Sequence, residues 1–193
     1  RVAGENADRF DKPGDYYLTD VEKKQLSDIC AMYPHVVVAV NTGGLADLSF
    51  MDEFKNIEAL LQIVQPGMEA GNAFADVISG AVTPSGKMTD TWAYQYSDYP
   101  NSATFSHNNG NVNKEYYTEG IYVGYRYFDT FDIPVRYGFG FGLSYTSFEI
   151  KVLSALLKDD KKTVAVKTEV VNTGDTYSGR EVVQAYVTCP TGR

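Results

Sequence analysis

In MYPHVVVAVNTGG, residues 32–44, a proline precedes five consecutive apolar residues, four of them valine, and a Gly-Gly turn follows. The run Val36–Val40 shows no polar alternation, which predicts a strand covered on both faces, the kind found in parallel sheets. Just upstream, TDVEKKQLSDICAMY (residues 19–33) predicts a helix. Thr19 and Glu22 form a capping box, and Leu26, Ile29, Cys30 and Tyr33 recur at the spacing of one buried face. Pro34 ends that helix, because it lacks the N–H and disfavours helical geometry in the residue before it. Downstream the rhythm repeats. A short apolar run ends at Gln65, Pro66-Gly67 turns the chain, and a helix carrying Ala70, Ala73, Phe74, Val77 and Ile78 on one face stops at Gly80. Strand, crossover and strand predict an α/β sandwich with a parallel-rich sheet.

Around this segment, 193 residues carry 17 basic and 25 acidic side chains, a formal charge of −8. That balance disfavours nucleic acid and anionic membrane as partners, both of which select basic surfaces. No apolar run approaches the ~20 residues of a spanning helix. At 44% hydrophobic and 22% charged, the composition is that of a soluble globular protein. Residue 1 is Arg, so the chain is expected to begin after an upstream cut or boundary. Cys30 and Cys189 fall in helix-like and strand-like segments, and with two scattered histidines they supply no metal-ligand spacing. No metal and no cofactor are implied.

From Trp92 the character changes. Residues 92–143 are rich in Tyr, Asn, Gly and Phe without sustained helical period, and SHNNGNVN (residues 106–113) has loop composition. The 15 tyrosines, concentrated here, suit a packing segment better than a sugar platform. After Ser144 the alternation becomes period two. TVAVKTEVVNTG (residues 163–174) predicts a strand and a turn, and REVVQAYV (residues 180–187) predicts the next strand. Residues 144–193 are too few for a complete immunoglobulin-like sandwich of ~100 residues. The expected division is therefore 1–143 for the α/β sandwich and 144–193 for a truncated antiparallel β-sandwich.

Several patterns resemble ligand loops without meeting their requirements. In GAVTPSGKM (residues 80–88) five residues separate Gly80 from Gly86-Lys87, and Met88 stands where a metal-binding hydroxyl is needed. The expectation there is a helix stop, a turn and a strand starting near Lys87. GFGFG (residues 138–142) leads into strand-like sequence, whereas a dinucleotide fingerprint needs a helix N-terminus to hold pyrophosphate. NTGG (residues 41–44) reads as an ordinary turn after a strand. His35 and His107 have no nucleophile elbow, so carboxylates are the plentiful acid–base groups. Glu5, Asp8, Asp11 and Asp15 cluster in RVAGENADRFDKPGDYYL, and residue chemistry alone does not choose among them. Glu119 is a further carboxylate and reads as structural, because it leads a Tyr-dense packing segment.

Five blocks in order resemble glycoside hydrolase family 3, the β-glucosidases and β-xylosidases. AGENADR (residues 3–9) is similar to the family's SGEGxDR loop, and VVVAVNTGG (residues 36–44) to its VVVVLNxG strand and turn. The third block, PGMEAGNAFADVISGAVTPSGKMTDT (residues 66–91), is similar to AGQExGxAxADVLxGxxNPSGKLPxT. EGIYVGYRYFDTF (residues 119–131) and YGFGFGLSYTSFE (residues 137–149) complete the series. The resemblance covers nearly the whole chain, and residues 89–100 also look like members in which the barrel follows this region. Asn6 stands in place of a Gly, Val64 in place of an aromatic, and Phe141 in place of a His.

The resemblance implies a C-terminal α/β sandwich followed by the start of a fibronectin type III-like domain. It implies a retaining, exo-acting β-glycosidase whose partner is a catalytic barrel domain of the same protein and whose substrate is a β-glucoside or β-xyloside. The nucleophilic Asp belongs to that barrel, outside this chain. The acid/base maps onto Glu5, with Asp8 and Arg9 supporting its loop, and the chain by itself is expected to be inactive. The alternative is a non-catalytic module for carbohydrate binding or domain packing.

Overall fold

A computed structural model describes residues 10–105, 110–111, 113–114 and 116–188. Glu5, Asp8, Arg9, His107 and Cys189 lie outside the described residues. The chain divides into two compact units, one of residues 1–74 and 89–139, the other of residues 75–88 and 140–193.

The first unit begins with the capped helix. α1 spans Asp20–Met32; Thr19 Oγ1 accepts the Glu22 amide at 3.2 Å, and the Thr19 amide donates to Glu22 Oε2 at 2.7 Å. Leu26, Ile29 and Cys30 are half-buried, whereas Tyr33 is exposed, because the chain turns extended there at the Pro34 boundary. β1 (Val36–Val40) pairs in parallel with β2 (Ile57–Gln62). The crossover between them holds only the single turn α2 (Phe50–Glu53).

β1 corrects one expectation. Its burial alternates, with Val36 buried, Val38 and Val40 half-buried, and Val37 53% exposed. Among the described residues the strand is therefore covered on one face only. Among the described residues this is one parallel strand pair, beside an isolated parallel bridge between Pro13 and Tyr17, and the two other sheets are antiparallel.

The chain between α3 (Ala70–Ile78) and the aromatic region also differs from expectation. Gly80, at φ +78°, closes α3 with its amide on the Val77 carbonyl at 3.0 Å, as a left-handed helix cap. No strand starts near Lys87. Instead β3 is the pair Trp92–Ala93, antiparallel to β4 (Val135–Tyr137). The segment read as lacking helical period contains, among its described residues, a 3-10 turn at Tyr96–Asp98 and one short α-helix, α4 (Tyr125–Thr130), entered through Gly124 at φ +57°. Six residues are too few to show a period. The core of this unit gathers Tyr16, Leu48, Phe50, Trp92, Tyr96 and Phe128, each under 9% exposed.

The second unit is a two-stranded antiparallel ribbon, β5 (Phe148–Leu157) with β6 (Val164–Asn172). Its tip is tied by Asp160, whose Oδ1 accepts the amides of Lys162 and Thr163 at 2.9 Å each. Residues 180–187 form no strand, contrary to their alternation. Their polar groups are used elsewhere: the Arg180 amide donates to Ser85 Oγ at 3.0 Å and Glu181 pairs with Lys87. No helix among the described residues is long and apolar enough to cross a membrane.

Candidate active site

The candidate site is the acidic loop ahead of α1, of which residues 10–18 are described. Pro13-Gly14 bends the chain back, with Gly14 at φ +89°, a conformation that suits glycine. The Gly14 amide then reaches the Tyr17 carbonyl at 2.9 Å, and the Phe10 carbonyl accepts the amides of Lys12 at 2.7 Å and Tyr16 at 3.3 Å. Asp15 is buried and pairs with Lys12 Nζ at 3.1 Å, and that ammonium lies 5.0 Å from the Phe10 ring centroid. Asp11 is exposed, and its carboxylate accepts a hydrogen bond from the Tyr17 hydroxyl. Burial first, and that bond second, push the Tyr17 phenol up to about 12. Of the four clustered carboxylates, then, Asp11 and Asp15 are both engaged in holding the turn.

Tyr16 anchors the turn to the rest of its unit. Its ring stands edge-on to Tyr17 at 5.0 Å, to Tyr96 at 5.1 Å and to Tyr99 at 6.2 Å. The seam continues from Tyr99 to Phe128 at 5.9 Å and on to Tyr127 and Phe131. The Tyr16 hydroxyl donates to the Tyr99 hydroxyl, which also accepts the Ala93 amide at 2.9 Å. Burial pushes both phenols above their ordinary range, Tyr16 far above it. The tyrosine excess is thus packing here. Beside the turn, a cleft of about 540 Å³ is lined by Phe10, Asp11, Lys12, Tyr96, Ser97 and Ser102.

The other carboxylate and the pseudo-motifs are accounted for. Glu119 accepts from Asn101 Nδ2, and Thr118 Oγ1 donates to Asn101 Oδ1 at 2.6 Å, a local polar tie. Lys87 Nζ donates to the Gly142 carbonyl at 2.8 Å and to Glu181 at 3.2 Å, so it is committed inside its own unit. Gly142 has a packing reason: a Cβ there would lie 2.4 Å from the Gly86 carbonyl oxygen. His35 Nδ1 lies 2.7 Å from Glu58 on an exposed strand edge. NTGG and the turn after β2 meet, since a Cβ at Gly43 would stand 2.8 Å from Gln65 Nε2. Both turns follow the C-terminal ends of parallel strands, the edge where α/β sheets usually place ligands. Among the described residues no three His, Cys, Asp or Glu side chains group to hold a metal ion.

Sequence reading missed the Tyr16–Tyr99 bond, because the two residues lie far apart in the chain and share no motif. The one hint was Tyr16-Tyr17 following a Pro-Gly turn inside an otherwise acidic loop.

The chain is similar to known proteins over most of its length. The family model of the glycosyl hydrolase family 3 C-terminal domain matches residues 1–125. A β-glucosidase of Ruminococcus albus is 42% identical over 191 residues, covering 98% of this chain and 19% of that enzyme. β-Glucosidase A of Butyrivibrio fibrisolvens is 38% identical, covering 93% of the chain and 23% of that enzyme. Among solved structures, a β-glucosidase from Paenibacillus barengoltzii superposes with a TM-score of 0.81 at 39% identity, over 93% of this chain and 20% of that one. β-Glucosidase 3B of Thermotoga neapolitana, in complex with glucose, gives a TM-score of 0.79 at 35% identity, over 90% of this chain and 24% of that one. The chain spans about a fifth of the length of the relatives it matches. With well over half of its residues matched by the family model, the chain belongs to glycosyl hydrolase family 3 and carries the family's C-terminal domain.

Proposed function

We propose that this chain is the acid/base-bearing part of a retaining β-glucosidase, with Glu5 as the proton donor. The observation that carries the reading is the family match over residues 1–125, which includes the acidic loop, together with relatives named β-glucosidase at up to 42% identity. In this reading residues 1–143 form the sandwich domain and residues 144–193 begin a fibronectin type III-like domain. The nucleophilic Asp is supplied by a barrel domain of the same protein outside this chain. The substrate is a non-reducing-end β-glucoside, with β-xylosides as the related class. No cofactor takes part.

A retaining glycosidase needs two carboxyl groups ~5–5.5 Å apart, one attacking the anomeric carbon and one protonating the leaving oxygen. The donor must stay protonated near neutral pH, which burial or the partner carboxylate achieves by raising its pKa. Glu5 protonates the glycosidic oxygen as the sugar transfers to the nucleophile. Its carboxylate then takes a proton from the water that releases the sugar. Asp8 and Arg9 support the loop as an ion pair. The described part of that loop favours such a role, since Asp11 and Asp15 are already engaged in its turn.

In the complete protein, Glu5→Ala should slow hydrolysis of cellobiose far more than that of 2,4-dinitrophenyl β-glucoside, whose leaving group needs no proton. Azide should restore turnover of the activated substrate by attacking the glycosyl-enzyme. Equal rates for variant and parent on both substrates would overturn the assignment.

A further inference from the structure

The run Val36–Val40 carries no polar residue, yet part of it lies open. Side chains alternate between the faces of a strand, so Val37 and Ala39 share the face opposite to Val36, Val38 and Val40. The register sets Val37 beside Ala59 and Ala39 beside Leu61. These four make one continuous apolar face. Val37 is 53% exposed, Ala39 and Ala59 are exposed, and Leu61 is half-buried. The one charged residue of β2, Glu58, falls where the register jumps between Ile57 and Ala59, and it pairs with His35 at 2.7 Å. No charge interrupts the face.

A sheet face that meets water in the working protein normally reads polar at every second residue, and this one does not. Parallel sheets are instead covered on both faces, and the cover is helical, because crossovers between parallel strands lay helices there. The crossover between β1 and β2 cannot supply that cover. It holds only the four-residue turn α2, a cylinder ~6 Å long. Two of the four face residues are alanine, and small side chains at a contact let a helix axis come close. The relatives are long enough to provide such a helix elsewhere, since about four-fifths of the Ruminococcus albus enzyme lies outside the match.

We propose that the face of Val37, Ala39, Ala59 and Leu61 is a docking surface for an amphipathic helix, supplied by the same protein from outside residues 1–193. The apolar stripe of that helix, at i, i+3, i+4 and i+7, buries the four side chains and restores the two-sided coverage that the apolar run of β1 calls for. The proposal rests on the reading of this chain as part of a longer protein and does not involve Glu5.

The test uses the complete protein with Ala39→Cys and Ala59→Cys, and Lys55→Cys as the exposed reference. N-ethylmaleimide uptake is followed by intact mass, with the parent's own cysteines as the blank. Expected is labelling at least about 100-fold slower at positions 39 and 59 than at 55, because reagent reaches a covered face only through local opening. The difference should persist on dilution and vanish in denaturant. Equal rates at the three positions overturn the proposal, and so does protection lost on dilution, which would make the cover a second copy. If one cysteine variant fails to fold, the other decides. The occupant is then identified without any substitution. Photo-leucine incorporated throughout the protein places a diazirine at Leu61, and mass spectrometry reads what it captures on irradiation. The expected partner is a peptide of the same protein outside residues 1–193 with apolar residues at helical spacing. Capture of a peptide within 1–193, of another polypeptide, or of one with strand alternation overturns the proposal. The Glu5→Ala kinetics decide the acid/base reading separately, since capture at Leu61 reads no catalytic step.

Discussion

Tyr99 meets Phe128 at right angles, with ring centroids 5.9 Å apart, and this contact joins the segment after β3, against which Tyr16 packs, to helix α4. Phe128 is 3% exposed and also stands edge-on to its neighbour Tyr127. Removing its ring leaves a hole that Tyr99 and Tyr127 cannot both fill. Phe128→Ala should therefore cost about 3 kcal/mol or more, and Phe128→Leu about half of that. Urea denaturation followed by tyrosine fluorescence checks both. A loss under 1 kcal/mol for the Ala variant would mean that the seam does not hold the unit together.

The same seam predicts alkaline behaviour. Burial raises the Tyr16 phenol, and its bond to Tyr99 raises it further, while burial raises Tyr99 as well. A group whose folded pKa lies above its unfolded value contributes fully below that unfolded value, here near 10. The contribution falls as pH rises from there toward the folded pKa, because only the unfolded chain releases the proton. Stability should thus be flat between about pH 7 and 9 and fall steeply above about pH 10. Tyr16→Phe should flatten that alkaline limb. Urea midpoints across the range, with phenolate absorbance near 295 nm, make the measurement.

How much of this was legible before the structure depended on how local each signal was. The capping box Thr19–Glu22 and the Pro34 stop are read within a few residues, and α1 follows them. The parallel pairing of Val36–Val40 follows from the continuous apolar run, although its two-sided coverage does not hold among the described residues. Residues 180–187 alternate like a strand, yet Glu181 turns to Lys87 and the segment joins no ladder, since alternation records amphipathicity and not pairing. The Tyr16–Tyr99–Phe128 seam was illegible because aromatic spacing has no period and its partners are separated by tens of residues. At the site, the composition of the acidic loop was visible at once, but the hydroxyl bond that fixes its turn was not.

Lys87 and Glu181 predict the acid side. Both side chains are mostly buried, 16% and 14% exposed, and lie 3.1 Å apart. The Val182 amide, donating to Glu181 at 2.8 Å, holds that carboxyl below its ordinary value near 4.5, and Lys87 adds to the effect. A depressed folded pKa contributes stability above the unfolded value and loses it as pH falls through the folded one. Glu181→Gln should cost about 1–2 kcal/mol at pH 7. Its stability curve should converge on that of the parent as pH drops below about 4. Parallel curves at every pH would show that the charge does not matter there.

Val64 is the one β-branched residue among the described residues with a left-handed backbone, at φ +50°. Branching at Cβ makes that region costly, whereas Asn and Gly enter it readily. The strain lies in the turn after β2, just beyond the Ile63 amide that extends the ladder to the Val40 carbonyl at 3.0 Å. Val64 is also 47% exposed, so replacing it gives up little buried area. Val64→Asn should therefore stabilise the protein by about 1 kcal/mol, with Val64→Gly gaining less because glycine loses more backbone entropy on folding. Thermal melts of the three proteins rank them as Asn above Gly above Val. A drop in melting temperature for the Asn variant would mean that the valine methyls make contacts worth more than the strain they impose.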